Sequence, residues 1–330
     1  MTTPNPLLHV QDLSVVYRAG EGAIHAVQDV TLSLEPGRSL GLVGESGSGK
    51  STVAAAILRL LPENARITSG SIVFDGTDLA ELSDRNLDRL WRWRQLAIVF
   101  QRSLSALSPV HRVGHQLDDV LKLREPGLTE AQRQERIVGI LRAVRLPDRV
   151  LRAYPFELSG GMMQRTMIAL ALLCTPPFLI LDEATTALDV ITQAEILREM
   201  ERLRAEFELT TLVISHDVGV INAIADSVAV MYAGQLMEVA PKERFFSAPA
   251  HPYSKALIAS VPRLRGQSGR LTGIPGTLPE LHNPPPGCRF APRCPHAMPR
   301  CSAAPPPLYQ IAPRHTVRCV LYDQHPEQRP

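Results

Sequence analysis

The chain contains 330 residues, of which 45% are hydrophobic and 21% are charged, as is typical of a globular protein with a buried core. This length fits one large domain or two ordinary ones, and the composition excludes a disordered chain. The net charge of +2, from 35 basic and 33 acidic residues, predicts no polyanionic partner. No apolar run reaches the roughly 18 residues of a membrane span, and no basic start precedes an apolar stretch, so we expect neither a membrane span nor export.

The first predicted elements form a strand–turn–helix unit. Apolar residues alternate over residues 8–16, which predicts a strand, and residues 26–34 are predicted to pair with it as an antiparallel edge. Residues 39–43 form a short apolar run that ends in a glycine-rich turn, and residues 51–61 are predicted to form a buried helix. This succession is typical of the opening of a nucleotide-binding α/β domain.

The following segment combines short strands with a long helical region. Strands are predicted at residues 72–74 and 97–100, and Ser83 is predicted to cap a helix that carries Trp91 and Trp93. From about residue 104 to 158 the pattern is helical, and the pair Thr129 and Gln132 predicts a capping box.

The remaining elements complete a mostly parallel sheet. Helices are predicted over residues 162–173 and 191–207, and buried strands over residues 178–181, 211–214 and 228–231. The predicted fold class is therefore α/β, with a mostly parallel sheet, an antiparallel edge and a helical insert between Gln101 and Ser159.

The glycine-rich turn after the third strand has the spacing of a phosphate-binding loop. Glycines allow backbone N–H groups to converge on phosphate oxygens, and the positive end of the following helix adds to the attraction. Lys50 of this motif would reach the β- and γ-phosphates, and the hydroxyl of Ser51 would hold Mg²⁺. The predicted nucleotide-binding residues here are Gly44, Glu45, Ser46, Gly47, Ser48, Gly49, Lys50, Ser51 and Thr52.

A second acidic motif ends the predicted strand 178–181. Asp182 is expected at the carboxyl end of the sheet, where open α/β folds bind ligands, and there it would complete the Mg²⁺ shell. Glu183 is placed to orient or deprotonate an attacking water molecule.

A third motif is Leu158-Ser159-Gly160-Gly161-Met162-Met163-Gln164-Arg165, and it narrows the interpretation of the three motifs to one family. Together with the two motifs above, it closely resembles the signature of ATP-binding-cassette (ABC) ATPases. A Ser-Gly-Gly turn before a helix is a second anion site, because N–H groups and the helix dipole again point at phosphate. The resemblance implies a cassette fold of the phosphate-loop NTPase class, with ATP and Mg²⁺ as cofactors. It also implies an obligate dimer, in which Ser159, Gly160, Gly161 and Gln164 act on the nucleotide of the opposite subunit.

The same resemblance assigns roles to four single residues. It implies that Tyr17 stacks on adenine and that Gln101 contacts Mg²⁺ and senses the membrane partner. It further implies that Asp189 lies in the loop that crosses the dimer interface, and that His216 contacts the γ-phosphate. The implied catalytic residues are Glu183, His216 and Gln101, and the implied Mg²⁺ ligands are Ser51, Gln101 and Asp182.

The composition changes near residue 261. Residues 262–330 contain nine arginines, no lysine, three acidic residues and 15 of the 28 prolines. The motif His251-Pro252-Tyr253-Ser254 resembles the C-terminal extension of the oligopeptide, dipeptide and nickel importer subfamily. We therefore expect a nucleotide-binding domain over residues 1–240, with a helical subdomain at about 104–160, and an irregular proline- and cysteine-rich extension over 241–330.

The extension also holds four of the five cysteines, namely Cys288, Cys294, Cys301 and Cys319. In a reducing cytosol, clustered cysteines indicate a metal or cluster site before disulfides. Their spacing contains no Cys-x-x-Cys pair, and four thiolates can hold either zinc or a [4Fe–4S] cluster. The resemblance to the importer subfamily favours the [4Fe–4S] cluster.

The resemblance implies an ATP-hydrolysing subunit that powers import of di- or oligopeptides, bound peripherally to the cytoplasmic side of the inner membrane. Its implied partners are a second cassette, identical or different, two transmembrane permease subunits and an extracytoplasmic binding protein. Import of nickel, opines or another small solute is the alternative. A soluble ABC ATPase of DNA repair or translation fits less well, because one cassette is present and only 109 positions separate Lys50 from Ser159. Nucleic-acid binding by the arginine-rich extension is not expected, because it has few aromatic residues and no recognised finger spacing.

Overall fold

The computed structural model describes residues 5–20, 22–100, 106–186, 188–260 and 273–323. The chain divides into two compact units. The first unit consists of Met1–Leu34, Ser39–Ala80 and Ile214–Pro330, and the second consists of Glu35–Arg38 and Glu81–Val213. Within the described ranges, no helix combines the length and the apolar character needed to cross a bilayer.

The predicted strands and helices occur in the predicted order, together with further strands and helices that the sequence analysis did not predict. The strands are β1 (Leu8–Ala19), β2 (Gly22–Leu34), β3 (Ser39–Val43), β4 (Ala65–Phe74), β5 (Thr77–Asp78), β6 (Leu96–Val99), β7 (Phe178–Asp182), β8 (Thr210–Ser215), β9 (Ser227–Tyr232), β10 (Gln235–Pro241), β11 (Tyr309–Ala312) and β12 (His315–Val317). The helices are α1 (Lys50–Ile57), α2 (Asp84–Asn86), α3 (Val113–Arg124), α4 (Glu130–Ala143), α5 (Gly160–Leu172), α6 (Val190–Glu206), α7 (Val218–Ile224), α8 (Lys242–Ser247), α9 (Pro252–Ala259) and α10 (Pro299–Ala303).

An antiparallel sheet in the first unit has the strand order β2-β1-β4-β5. The predicted pairing of the first two strands is confirmed, with Leu8 opposite Leu34. On its other side β1 pairs with β4, which begins at Ala65 rather than at the predicted residue 72. The early part of β4 was missed because its polar Thr-Ser-Gly-Ser run is mostly exposed and shows no apolar alternation.

A second group of strands in the first unit has the order β11-β12-β10-β9-β3. The central pair, β3 and β9, is parallel, with Leu40 opposite Ser227, whereas β10 and β12 add antiparallel partners. Every residue of β3 is buried, as its apolar sequence predicts. The C-terminal extension thus contributes two strands to this sheet, and the phosphate-loop motif lies at the carboxyl end of β3.

The second unit contains the parallel pair β6 and β7, with Leu96 opposite Phe178, and the helices α3 to α6. The capping box at the start of α4 is confirmed: Thr129 Oγ1 accepts from the Gln132 amide at 3.3 Å, and Gln132 Oε1 accepts from the Thr129 amide at 2.8 Å. Helix α5 is buried along most of its length, as its apolar sequence predicts.

The helix predicted to carry both tryptophans is shorter than expected. Ser83 caps α2 by accepting from the Asn86 amide, and a π-helical turn follows over Leu87–Trp91. Arg92 is extended and Trp93 has a φ of +72°, so the prediction that the helix includes Trp93 is wrong. The chain must turn here to enter β6, and the Trp93 amide donates to the Leu96 carbonyl at 2.8 Å.

Candidate functional site

The phosphate loop connects β3 to α1, as predicted. Gly49 has a φ of +99°, and a Cβ at this position would collide with the carbonyl oxygen of Ala26. A Cβ at Gly44 would collide in the same way with the carbonyl oxygen of Met231. Both positions therefore require glycine for reasons of space, and one of them also for its left-handed backbone conformation.

Lys50 lies across this loop. Only 4% of the residue is exposed, and its Nζ donates to the carbonyl oxygens of Gly44 at 2.8 Å and Glu45 at 2.9 Å. The Ser48 hydroxyl lies 3.4 Å from the same nitrogen. A fixed ammonium group and the amino end of an eight-residue helix thus meet at one loop, and both attract phosphate.

Two further predicted residues belong to the same unit as the loop. The Tyr17 hydroxyl lies 3.3 Å from Thr52 Oγ1, so the predicted adenine-stacking residue contacts the helix that follows the phosphate loop. His216 is exposed in the turn between β8 and α7, where the Asp217 amide donates to Ser215 Oγ at 3.0 Å. This hydrogen bond holds the turn that presents the imidazole.

The two carboxylates of the acidic motif lie in the second unit. Asp182 is the last residue of β7 and is only 5% exposed. Glu183 follows with a φ of +49°, and the Thr186 hydroxyl donates to its Oε2 at 3.4 Å. The strand therefore ends by presenting two adjacent carboxylates, one buried and one partly accessible.

The signature turn also lies in the second unit, at the amino end of α5. Ser159 caps this helix by accepting from the Met162 amide at 3.3 Å. Ser159 and Gly160 are exposed, Gly161 is half-buried and Gln164 is buried. The exposed turn presents a helix amino terminus to solvent, the arrangement expected of an anion site.

Asp189 caps α6 in the same unit. Its carboxylate accepts from the amides of Ile191 and Thr192 and from the Thr192 hydroxyl, the last at 2.6 Å. The hydroxyl and amide of Thr192 hold the pKa of Asp189 below its usual value. Val190 and Ile191 follow it and are 80% and 75% exposed.

Some predicted positions lie outside the described residues. These are Gln101, the start of the helical insert at residues 104 and 105, residue 187 of the loop that leads to Asp189, and the composition boundary near residue 261.

The four cysteines of the extension lie around one cavity in the first unit. The Cys288 amide donates to the Cys301 carbonyl at 2.7 Å, and two backbone N–H groups donate to the sulfurs of Cys294 and Cys301 at 3.4 Å. Burial is the main cause that raises the pKa of Cys288, Cys294 and Cys319, that of Cys319 to about 11, and the charge of neighbouring cysteines acts in the same direction. The described part of the chain contains no group of three or more His, Cys, Asp or Glu side chains arranged to hold a metal ion.

One contact at the phosphate loop was missed by sequence reasoning. Arg293 Nη1 lies 3.0 Å from both carboxylate oxygens of Glu45, although 248 positions separate the two residues. The Tyr253 hydroxyl accepts from the Glu45 amide at 3.0 Å. No local periodicity or spacing predicts a pair so distant along the chain.

Comparison with known proteins places these features in a family. Residues 27–186 match the family model of the ABC transporter, and residues 237–301 match the oligopeptide/dipeptide transporter C-terminal region. Over 304 residues, which cover 92% of this chain and 90% of the relative, the sequence is 46% identical to the oligopeptide transport ATP-binding protein OppD of Salmonella typhimurium. The chain belongs to the ABC transporter family. It is an ATP hydrolase of that family, as the three motifs predict.

Other relatives agree with this membership. The ABC chain is 41% identical to the dipeptide transport ATP-binding protein DppD of Bacillus subtilis over 324 residues, with 97% and 96% of the two chains covered. It is also similar to the structure of the ATP-binding cassette MJ0796, a dimer bound to ADP and Pi, with a TM-score of 0.64, 27% identity and coverage of 71% and 98%. This likeness confirms the predicted α/β cassette fold.

Proposed function

We propose that this ABC subunit hydrolyses ATP to power the import of oligopeptides or dipeptides. The observation that best supports the ATP site is the position of Lys50, whose ammonium group donates to the loop carbonyls at the amino end of α1. The peptide substrate is supported by the relatives, which are named for oligopeptide or dipeptide transport and match more than 90% of this chain. The match of residues 237–301 to a peptide-transporter region supports the same substrate class.

Each predicted site residue has a role in this reaction. The phosphate loop from Gly44 to Thr52 binds the phosphates and Tyr17 stacks on adenine. Ser51, Gln101 and Asp182 supply the oxygen ligands that Mg²⁺ prefers. When bound, the ion neutralises charge on the β- and γ-phosphates. Glu183 accepts the proton of the attacking water, and His216 donates a hydrogen bond to the γ-phosphate.

The proposal includes a second cassette. The turn Ser159-Gly160-Gly161, with Gln164, acts on the nucleotide bound by that partner, and Asp189 lies at the interface between them. The support is the exposure of this turn, together with the exposed Val190 and Ile191, whose apolar surface would gain from burial. The similar cassette MJ0796 is itself a dimer.

The remaining partners are two permease subunits and an extracytoplasmic binding protein, which place this chain peripherally on the cytoplasmic side of the inner membrane. The nucleotide-binding domain covers residues 1–240 and the extension covers 241–330. The helical subdomain at about 104–160 docks on the permease. Val110 and Leu123, which are 73% and 71% exposed, are apolar surface residues of this subdomain and support a protein contact there.

We also propose that the extension holds a [4Fe–4S] cluster, with Zn²⁺ as the alternative. The support for this site is that Cys288, Cys294, Cys301 and Cys319 line one cavity and that two of their sulfurs accept backbone N–H groups. Hydrogen bonds to the ligand sulfurs would help to set the reduction potential of a bound cluster. Metal ligation would also stabilise a proline-rich segment that has a small core of its own. The group would act in structure or redox sensing, away from ATP chemistry.

The ATP site is tested by nucleotide binding. Purified protein is expected to bind MgATP, measured with a fluorescent analogue, and Lys50→Ala is expected to lose binding because it removes a positive charge from the phosphates. Lys122→Ala is the matched control, since that lysine pairs with Asp118 on the surface of α3 at 2.7 Å. Equal binding by Lys50→Ala and wild type would contradict the assignment.

The cysteine site is tested by metal content. Anaerobically purified protein is expected to be brown, to contain iron and sulfide, and to lose both when Cys294 and Cys301 become Ser. Cys174→Ser, a change at a buried cysteine elsewhere in the chain, is the matched control. Colourless protein with one zinc per chain would reject the cluster but keep the ligands, and protein without metal would reject the site.

A further inference from the structure

Three side chains hold Glu45, the second residue of the phosphate loop. Lys50 Nζ donates to its carbonyl oxygen at 2.9 Å, the Tyr253 hydroxyl accepts from its amide at 3.0 Å, and Arg293 Nη1 lies 3.0 Å from both oxygens of its carboxylate. Tyr253 and Arg293 both belong to the region after residue 240. The extension is therefore in direct contact with the loop that receives the phosphates.

The Arg293 guanidinium is fixed on all sides. Its Nε donates to the Pro275 carbonyl at 2.7 Å, its Nη2 to the Ile274 carbonyl at 3.1 Å, and its Nη1 also to the Tyr232 hydroxyl at 3.2 Å. The guanidinium carbon lies 5.6 Å from the centre of the Tyr232 ring. Only 5% of the Arg293 side chain is exposed, against 29% for Glu45. An ion pair held in this way is screened less by solvent than a surface pair.

A carboxylate in a phosphate loop is electrostatically unfavourable. The negative charge of Glu45 repels the phosphates of ATP, unless a cation close to it neutralises the charge. Arg293 is placed to do this, and its other hydrogen bonds hold it there without help from the nucleotide.

We infer that Arg293 is a positioning residue for nucleotide binding, which neutralises the Glu45 carboxylate and holds the phosphate loop in the conformation that accepts ATP. The inference rests on the proposed function of the loop as the ATP site. Because Arg293 directly precedes Cys294, the ion pair joins the cysteine-bearing segment to the phosphate loop. The extension thus contributes to ATP affinity as well as to the fold.

The chain offers a matched control for the test. Pro292-Arg293-Cys294 and Pro299-Arg300-Cys301 are two copies of the same tripeptide. Arg300 donates to the Val320 carbonyl at 2.7 Å and lies 3.5 Å from Asp323, and both of these partners lie within the extension. Arg293→Gln and Arg300→Gln therefore make the same chemical change in the same local sequence, with and without a partner in the phosphate loop.

The experiment measures the Kd of the full chain for MgATP. Arg293→Gln is expected to raise Kd about tenfold, which corresponds to about 1.4 kcal/mol, whereas Arg300→Gln leaves it unchanged. Arg293→Lys, which keeps the charge, is expected to recover most of the affinity. In a Glu45→Gln background, Arg293→Gln is expected to change Kd by less than about twofold, because no carboxylate is left to neutralise. In the assembled transporter the loss should appear in KM for ATP with kcat retained.

Two results would overturn the inference. One is wild-type affinity in Arg293→Gln, and the other is an equal loss of affinity in the presence and absence of the Glu45 carboxylate, which would indicate a general structural role. A failure of the proposed function is distinguishable from both, because wild-type protein would then not bind MgATP, or Lys50→Ala would bind it as well as wild type does.

Discussion

Mild acid is predicted to destabilise the first unit through His251, which caps α9. The residue is only 1% exposed, and its Nδ1 accepts from the Tyr253 amide at 3.0 Å. Burial lowers the pKa of His251 to about 4, because desolvation outweighs the opposing effects of the Glu238 carboxylate and the Arg318 backbone. The positive charge of Lys255 acts in the same direction as burial. The folded protein therefore keeps a neutral imidazole at pH values where the unfolded chain is protonated.

The magnitude follows from proton linkage. Histidine in an unfolded chain titrates near pH ~6.5, so the unfolded state binds more protons than the folded state from about pH 6.5 down to about pH 4. The stabilisation is present above the unfolded pKa and is lost as the pH falls through this window. With ~1.36 kcal/mol for each pKa unit, the loss between pH 7 and pH 5 is about 2 kcal/mol.

The assay is urea unfolding at pH 7, 6 and 5, followed by circular dichroism. His251→Asn keeps a side-chain acceptor for the Tyr253 amide but does not titrate, so it should lose about 2 kcal/mol less than wild type over this range. His282→Asn, at an exposed position of the same unit, is the control and should follow wild type. An identical pH dependence in wild type and His251→Asn would show that protonation of His251 does not cause the loss of stability.

Three further outcomes are expected. Glu183→Gln should retain ATP binding, slow hydrolysis by about 100-fold or more and accumulate an ATP-bound dimer in size-exclusion chromatography; hydrolysis at the wild-type rate would contradict its role as base. Glu238→Ala should lower the free energy of unfolding by about 3–5 kcal/mol, because this fully buried carboxylate accepts from the Ala250 and His251 amides and from the His315 ring at 2.8–2.9 Å. A loss below ~1 kcal/mol in urea unfolding would contradict this expectation. Glu243→Ala, at an exposed position, is the control. Leu123→Glu on α3 should lower transport while the Kd for ATP stays unchanged, and an equal loss of both would contradict permease docking.

The elements around the phosphate loop could be predicted because their signals are local. A fully apolar strand, a glycine-rich turn and a helix follow each other within residues 39–57, and each step has its own sequence pattern. The carboxylates at the end of β7 and the Ser-Gly-Gly turn before α5 could be predicted for the same reason. In each case a few neighbouring residues determine the backbone.

The contacts that could not be predicted depend on residues far apart in the sequence. The ion pair between Arg293 and Glu45 exists because the extension contacts the phosphate loop within the first unit, and composition alone gives no indication of this. The strands β11 and β12 lie in a proline-rich segment, and the pairing of β12 with β10 and with β11 comes from tertiary contacts rather than from strand propensity. Trp93 was assigned to a helix because an apolar aromatic pattern does not reveal where a chain must turn.

Uptake into vesicles tests most directly whether ATP hydrolysis by this subunit drives peptide import. The subunit would be assembled with its second cassette and two permease subunits in proteoliposomes, with ATP on the cassette side and binding protein with radiolabelled di- and oligopeptides on the other. We expect peptide uptake that requires ATP, is abolished by Glu183→Gln and is unaffected by Glu243→Gln, the same change at an exposed glutamate outside the site. Uptake of nickel or an opine with no uptake of peptide, or peptide uptake that persists in Glu183→Gln, would contradict it.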